Sequence, residues 1–463
     1  MDTHTQNAHA TRVPYDPHYD PLRGGIPDHN QDYAPTYWVA TGGDAPQDDG
    51  PIFQDIDVDV AVIGSGFTGL ACALFLAQEH GIKAHVLETN GVSWGCTSRN
   101  GGQAQNNSGR LKRSQWVKKW GIDTALKLHK EIETGFETFK ELSKDIECDA
   151  IAKGHLYVAH RPKVMETLAD EVDLMNKTFG YKARMISKEE LQSDFVNEAN
   201  AHGAMLEPAG IGVHPMKLIY GYMRKAQALG VKVHTSSPVA GWETINGVHH
   251  LRTPGGIVRA RAVAVATGGY TSQTLHKSLR NRIMPILSNN MVTRKLTDEE
   301  VKACNFKTDI IITDTRTLRH YYRLLPDGRL QIGSRSAITG ADASNPKHLA
   351  RLIASKDAKF PALKGIDIDY SWWGWVDVSH DMMPRIVQPN KKDSIFYALG
   401  YGGNGVMYAA HAGRRMAEQI AGKPSPQDIP FYGDQLPGEI FAPFRRIGQR
   451  FLYQWYGLQD NYL

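Results

Sequence analysis

The sequence predicts a mixed α/β (α+β) fold built around a Rossmann-like unit. Three features lead there. The stretch Val58 to Thr89, "VDVAVIGSGFTGLACALFLAQEHGIKAHVLET", reads as strand, glycine turn, helix and strand. A second apolar strand, "AVAVAT" (262–267), precedes a strand-rich block over roughly 283–375. A helical stretch, "VMYAAHAGRRMAEQIAG" (406–422), then follows a glycine-rich turn and reads as the last helix.

At 463 residues the chain is long enough for two intimately packed domains with a large core. Its 41% hydrophobic and 22% charged residues are ordinary for a soluble globular protein. A net charge of +4 is too mild for a nucleic-acid binder, but suits an anionic cofactor or a carboxylated substrate. The four cysteines (Cys72, Cys96, Cys148, Cys304) show no CxxC and no metal spacing. They read as reduced thiols, with no metal site, in a cytoplasmic protein. The polar N-terminus is not a secretory signal, and no apolar run approaches the ~18 residues that span a bilayer.

Residues 1–55, rich in Pro, Asp, Gly and Tyr, read as an extended arm. The alternative is a disordered tail, but the aromatics of "YAPTYWVAT" (33–41) argue for packing on the body. Apolar spacings of three and four predict helices over 112–147, 163–180, 187–194 and 215–230. Ser187 and Glu190 predict a capping box, and Gly230 a helix end. "GHLYVAH" (154–160) reads as a short strand, with others at 231–235, 248–252 and 257–261. Pro424, Pro426 and Pro430 break the chain after the helix at 406–422.

The glycine turn carries the first chemistry. Gly64, Gly66 and Gly69 form GxGxxG directly after an apolar strand, with Phe67 and Thr68 opening the helix. The first glycine makes the tight turn, the second lets backbone approach a pyrophosphate, and the third lets helix pack on strand. Phosphates then meet the free N–H groups of the helix N-terminus. Glu88 ends the second strand, where a carboxylate accepts hydrogen bonds from a ribose diol and repels a 2′-phosphate. This much does not separate NAD from FAD.

The next segment, "GVSWGCTSRNGGQ" (91–103), does. It resembles the loop of the D-amino-acid oxidase superfamily of FAD-dependent amine oxidoreductases, in its glycine- and sarcosine-oxidase branch. "TSRNGGQ" is most similar to the gamma-glutamylputrescine oxidoreductase group. The resemblance recurs in order through "PAGIGVHPMKL" (208–218), "GVKVHTSSPVAGWE" (230–243), "AVATGGY" (264–270) and "YYRLLPDGRLQIGSRS" (321–336). It continues through "WWGWVDVSHDMMPRI" (372–386) and "YALGYGGNGVMYAAHAGRRMAE" (397–418). Together these cover about residues 57–420. The resemblance implies a Rossmann-like FAD-binding domain with an interleaved antiparallel-sheet substrate domain. An N-terminal arm covers 1–55. FAD-domain segments fall at 56–112, 208–286 and 375–425. Helices and substrate-domain segments fall at 113–207 and 287–374, and a C-terminal tail at 426–463.

It also implies cofactor contacts. Thr97, Ser98, Arg99, Asn100, Gly101, Gly102 and Gln103 run beneath the ribityl chain and ring. Val239 meets adenine, and Thr267 and Gly268 belong to the second flavin motif. Gly402, Gly403, Asn404, Gly405 and Val406 close on the ring, where a helix N-terminus would favour the reduced anion. Sarcosine-oxidase-type members attach flavin to a late cysteine. This chain has none in 372–405 and none beyond Cys304, so non-covalent FAD is expected, with Cys96 a packing residue.

The implied reaction is oxidation of a C–N bond. A neutral amine gives hydride to flavin N5, and the imine hydrolyses to an aldehyde or 2-oxo acid. Oxygen takes the electrons, giving hydrogen peroxide. "RHYYR" (319–323) and "WWGW" (372–375) are the local pocket candidates. Strand alternation puts Arg319, Tyr321 and Arg323 on one face, and His320 and Tyr322 on the other. Tyr321 and Arg323 are expected at the reacting end, an arginine there suiting a substrate carboxylate. The alternative is a solvated strand face. Trp372 and Trp373 wall the pocket or serve as core. His380 either deprotonates the incoming ammonium or is structural. Gln331 aligns with the lysine that speeds oxygen reduction in sarcosine oxidases, which favours a dehydrogenase with another acceptor as the runner-up.

The tail "FAPFRRIGQRFLYQWYGLQDNYL" (441–463) mixes arginine with aromatics. It is expected to pack on its own body or a second subunit, with a membrane surface as the alternative. The partners expected are a small amine or amino acid and an electron acceptor, with no nucleic acid. A non-catalytic or RNA-modifying flavoprotein of the same fold is the reading from another class, and the lack of a basic stripe argues against RNA. An NAD-dependent dehydrogenase would need a second nucleotide fold, and no second glycine turn has that spacing.

Overall fold

In the computed structural model, which describes residues 12–425, 428–438 and 441–462, Ile56–Ile63 lies at the centre of an eight-stranded sheet. The reason is in its pattern. Its first half alternates between partly buried and exposed residues, and its last four residues are buried throughout, as a parallel strand covered on both faces requires. Val60–Ile63 pair in parallel with Ala262–Val265 on one side, and Ala61–Ile63 pair with His85–Leu87 on the other. Across the sheet the order is Arg385–Val387, Ile395–Leu399, Gly256–Val265, Ile56–Ile63, His85–Leu87 and Lys232–His234. The strands expected at 257–261 and 262–267 are one strand, Gly256–Val265. The change from alternating to continuous hydrophobicity marks a change of partner, not a break. The first half also carries the hairpin strand Val248–Thr253.

The second sheet also has eight strands, in the order Ile368–Ser379, Ile283–Lys295, Arg329–Ser334, Tyr321–Leu324, Ile311–Asp314, His155–Val158, Ala204–Glu207 and Arg184–Ile186. All pairings but one are antiparallel; Ile311–Asp314 runs parallel to His155–Val158. The two sheets draw strands alternately from the chain. The expected boundaries at 286/287 and 374/375 fall inside the continuous strands Ile283–Lys295 and Ile368–Ser379.

The helix Phe67–His80 after the glycine turn has Phe67 through Leu76 buried on every side. Gly405–Ile420 and Pro215–Ala228 pack against it. Close approach needs Gly413, where a Cβ would stand 2.6 Å from Thr68 O. The helix expected at 112–147 runs from Arg113 to Ser143, with a break at Gly121, whose φ is +78°. Its Glu131, fully buried, accepts from His411 Nε2 (2.6 Å), Arg415 Nε (2.9 Å) and the Tyr432 hydroxyl (2.5 Å), tying it to the helix Gly405–Ile420. The short helix expected at 187–194 begins at Lys188 and widens into a π-turn over Leu191–Phe195. Ser187 Oγ accepts from the Glu190 N–H at 3.1 Å. The Glu190 carboxylate turns to Arg184 at 2.6 Å, so the expected capping box is only half closed.

From residue 12 onward the arm packs on the body. It holds one short helix, Tyr37–Thr41, capped by Thr36, and Trp38 is 1% exposed. Trp94 Nε1–H donates to Asp32 O, and Asn90 Oδ1 accepts from the Gln31 N–H. The extreme N-terminus read for a secretory signal lies largely in residues 1–11, outside the described residues, as does Pro426. The stretch at 406–422 is not the last helix. Arg445–Tyr462 is a further helix of 18 residues. It packs back on its own body: Arg445 donates to Ile283 O, Arg446 to Asp20, and Asp460 accepts the N–H groups of Thr317 and Leu318. Among the described residues no helix is long and apolar enough to cross a membrane, and all four cysteines are free.

Candidate active site

A cleft of about 1840 Å³, part of it open to solvent, begins where the central strand ends, at Ile63 and Gly64. Gly64 has φ +101°, and a Cβ there would lie 2.8 Å from Ala266 O. Gly69 does not line the cleft. A Cβ on it would stand 1.9 Å from Gly64 O, so the third glycine seats the helix on the turn. Gly66 caps the helix with no side chain of its own, and the Phe67 N–H is bonded to Thr97 Oγ1 at 3.2 Å. Gly64, Ser65, Gly66, Phe67 and Thr68 all face the cleft. Glu88 lines it too, aimed at the turn: its Oε2 accepts from the Ser65 N–H (3.0 Å) and hydroxyl (2.6 Å).

Of the loop 97–103, Thr97, Arg99, Asn100, Gly101 and Gln103 line the cleft, while Ser98 and Gly102 do not. Ser98 Oγ donates to Trp94 O. Gly102 has φ +63°, and a Cβ there would lie 2.3 Å from Val213 O. The Arg99 guanidinium is caged by the rings of Trp94 (4.2 Å), Tyr15 (4.8 Å) and Tyr270 (5.2 Å). Two tryptophans hold the loop from behind: Trp372 Nε1–H donates to Arg99 O and Trp38 Nε1–H to Asn100 O, both at 2.8 Å. Val239, Thr267, Gly268, Gly403, Asn404, Gly405 and Val406 complete this part of the lining. Gly402 stands behind it, its N–H donating to Asp377 O at 2.8 Å.

The antiparallel sheet supplies the other wall. The Tyr321 ring lies against the loop, 2.7 Å from where a Gly101 Cβ would be, and its hydroxyl is 2.8 Å from Ser288 Oγ. Tyr321 and Arg319 reach the cleft. Arg323, on the same strand face, does not: it is 1% exposed, donates to Val213 O at 2.6 Å and lies 5.6 Å from the Trp38 ring. Burial pushes its guanidinium down to about 10. Alternation fixed its face but not its depth, and it braces the loop from below. His320 does not line the cleft, because it turns to Asp314 on the opposite face at 3.1 Å. Gln331 is fully buried behind the wall, donating to Asn290 Oδ1 at 3.0 Å. Trp372 is a brace, and Trp373 packs edge-on against His348, so neither walls the cleft. His380 is an exposed residue just beyond the strand Ile368–Ser379 and is absent from the lining.

Three charged lining residues escaped sequence reasoning: Arg110, Arg335 and Asp377. Arg110 follows the loop, Arg335 comes just after the hairpin strand Arg329–Ser334, and Asp377 sits in the Trp-Gly segment, positions no local pattern singles out. Burial pushes the Asp377 carboxyl up to about 6, against the N–H of Gly400 bonded to it at 2.6 Å. Burial likewise lifts the Cys96 thiol to about 12. Among the described residues no lysine and no histidine lines the cleft.

The arrangement suits a dinucleotide. An anion at the glycine turn meets open helix N–H groups, a diol meets Glu88, and an extended group can reach past Gly101 to Tyr321. Comparison with known proteins agrees. The family model for FAD dependent oxidoreductase (DAO) matches residues 59–419. Gamma-glutamylputrescine oxidoreductase of Escherichia coli (strain K12) is 30% identical over 441 residues, covering 93% of this chain and 99% of that protein. Glycine oxidase of Bacillus subtilis (strain 168) is 24% identical, covering 80% and 95%. The crystal structure of glycine oxidase from Geobacillus kaustophilus superposes with a TM-score of 0.68 at 20% identity, covering 82% of this chain and all of that one. With its glycine turn and all but two of its cleft-lining residues inside the matched span, the chain belongs to the DAO family and is an FAD-dependent oxidoreductase.

Proposed function

We propose that the protein oxidises a C–N bond in a carboxylate-bearing secondary amine or amino acid, with FAD held non-covalently. The substrate class is a gamma-glutamyl polyamine, an imino diacid or an N-alkyl amino acid. The carbon gives up a hydride and the nitrogen a proton, and water then hydrolyses the imine to an aldehyde or 2-oxo acid. FAD, when bound, supplies the hydride acceptor, and oxygen takes the electrons as hydrogen peroxide. One observation carries the reading: a single cleft joins the glycine turn and Glu88 to Tyr321 and Arg319, with no lysine or histidine among its lining residues. A site without such a base suits a substrate that arrives as the neutral amine and needs orientation rather than proton transfer. Ser65, Gly66 and Thr68 would meet the pyrophosphate, Glu88 the ribose, and Gly101, Gln103 and Gly403 the ring. Cys96, held protonated by burial, is a poor nucleophile for a covalent flavin bond. The relative named for gamma-glutamylputrescine supports the amine class.

The test is to load the protein with FAD and add amines without air. Bleaching of the flavin by a carboxylated secondary amine, and release of free FAD on denaturation, are expected. A flavin that no amine reduces would overturn the reading. Gln331, a buried neutral side chain, and the lack of lysine in the described lining favour one second reading, a dehydrogenase passing electrons to another acceptor. Slow return of colour on readmitting air would select it.

A further inference from the structure

Resting on that reading, we infer that the substrate carries two carboxylates, held by Arg110, Arg319 and Arg335. The three guanidinium groups line the same cleft as Tyr321. Arg110 Nη1 and Arg335 Nη2 each lie 3.5 Å from Gly402 O. Arg319 lies 5.7 Å from the centre of the Tyr157 ring, and its Nε is buried with no hydrogen-bond partner among the described residues.

The antiparallel ladder ends at Tyr321 paired with Gly333, and Arg319 and Arg335 lie two residues beyond that end on the two chains of the hairpin, near enough for Arg319 to act on Arg335. Like charges in that relation repel. Several other withdrawn arginines are answered by acids, Arg385 by Asp381, Arg415 by Glu131 and Arg113 by Glu207, while Arg99 and Arg323 lie against aromatic rings and backbone carbonyls. In the cleft none of the three enters an ion pair among the described residues. Burial and the other two arginines hold Arg110 well below its usual value, and burial, together with Arg319, lowers Arg335. All three are half-buried, and a cation drawn partly out of water without a counter-charge is costly unless a ligand supplies one.

The anion is not the cofactor's pyrophosphate, for which the helix Phe67–His80 offers its N-terminus at Gly66. These arginines flank Gly402 and Gly403 and the end of the antiparallel sheet. One guanidinium takes one carboxylate through a two-pronged contact. A neutral amine with a single carboxylate would leave two of the three cations unanswered, whereas a diacid answers two and leaves one to bridge.

The probe is thiodiacetate, a diacid with sulfur in place of the amine nitrogen, against methylthioacetate, its monoacid counterpart. Neither can be oxidised as an amine, and binding is read from the flavin spectrum of the FAD-loaded protein. Thiodiacetate is expected to bind at least about thirtyfold tighter, the size of one charge-assisted contact. That preference should shrink about tenfold in Arg319→Gln and in Arg335→Gln, with flavin still bound. Equal affinities, a preference unchanged in both variants, or no spectral response to either acid would overturn the inference. Because no turnover is involved, its failure is distinct from failure of the amine-oxidising reading. If both variants lost flavin, the comparison of the two acids on the unaltered protein would still decide.

Discussion

In the helix layer Glu131 is answered from three sides. In the cleft Arg110, Arg319 and Arg335 meet no acid among the described residues, and only the Gly402 carbonyl faces two of them. Burial pushes His411 toward its neutral form, so its Nε2–H donates to Glu131 while Nδ1 is left to accept the Thr138 hydroxyl at 2.9 Å. Arg415 supplies the opposing charge. The same chain has thus closed one buried charge cluster and left the other open. The closed cluster joins the long helix to the helix Gly405–Ile420 and serves the fold; the open one faces a cavity and serves a ligand. Asp377 extends the contrast, a second buried carboxyl with backbone donors but no cation partner among the described residues. Unpaired charge in a cleft is where function is to be sought.

The comparison breaks most visibly at Glu131. Glu131→Leu leaves Arg415 only its second partner, Glu418, at 2.8 Å, takes the acceptor from the buried His411 and Tyr432, and should cost about 3 kcal/mol, measured by urea unfolding of the FAD-loaded protein. A loss below about 1 kcal/mol would show the network to be dispensable. The next largest effect concerns pH. Against the push of burial, His411 and Arg415 hold Glu131 down to about 2. Its contribution is therefore complete above the ordinary carboxylate value and is lost as pH falls toward 2. Asp377 has the opposite sign: raised to about 6, its ionised form opposes folding above that pH, and the penalty fades on acidification. Asp377→Asn should gain roughly 1–3 kcal/mol at pH 8 and little at pH 4, read from melting curves at both. A variant less stable at pH 8 would mean that a cation answers Asp377 in the holoenzyme. The smallest expected change is in the open cluster. Arg335→Gln should shift stability by no more than about 1 kcal/mol in either direction, because no ion pair is lost. A fall in melting temperature of the Glu131→Leu size would erase the distinction between the clusters.

The sequence made the glycine turn, the helix after it and Glu88 legible because they are local: strand, turn, helix and acid lie within 33 residues, Ile56 to Glu88. The loop at 97–103 was legible through its resemblance to the family's loop, its glycine and polar content saying only that it is no core element. Arg110, Arg319 and Arg335 were not legible as a group, because 209 residues separate the first from the second and only the sheet brings them together. Arg323 misled for a related reason. Alternation gives a side chain's face, but Trp38, from a distant arm, decides how deep that face lies. His320 was likewise captured by Asp314, whose position depends on a neighbouring strand. The C-terminal helix was hidden by its surface. Phe451, Leu452, Trp455 and Leu458 are exposed, so its apolar residues do not follow the pattern of a helix facing a core.

The ion pair between Asp20 and Arg446 joins the first and last parts of the fold, and the cleft takes its lining from Ile26 through Ala409. A nascent chain emerges at about 5–20 residues per second, N-terminus first. Through most of that interval the glycine turn exists without the closing loop, and the cofactor has no complete place to bind. Flavin loading is therefore an event after synthesis. In a cell short of flavin, the species that accumulates is the full-length chain awaiting its cofactor, rather than a truncated or half-loaded one.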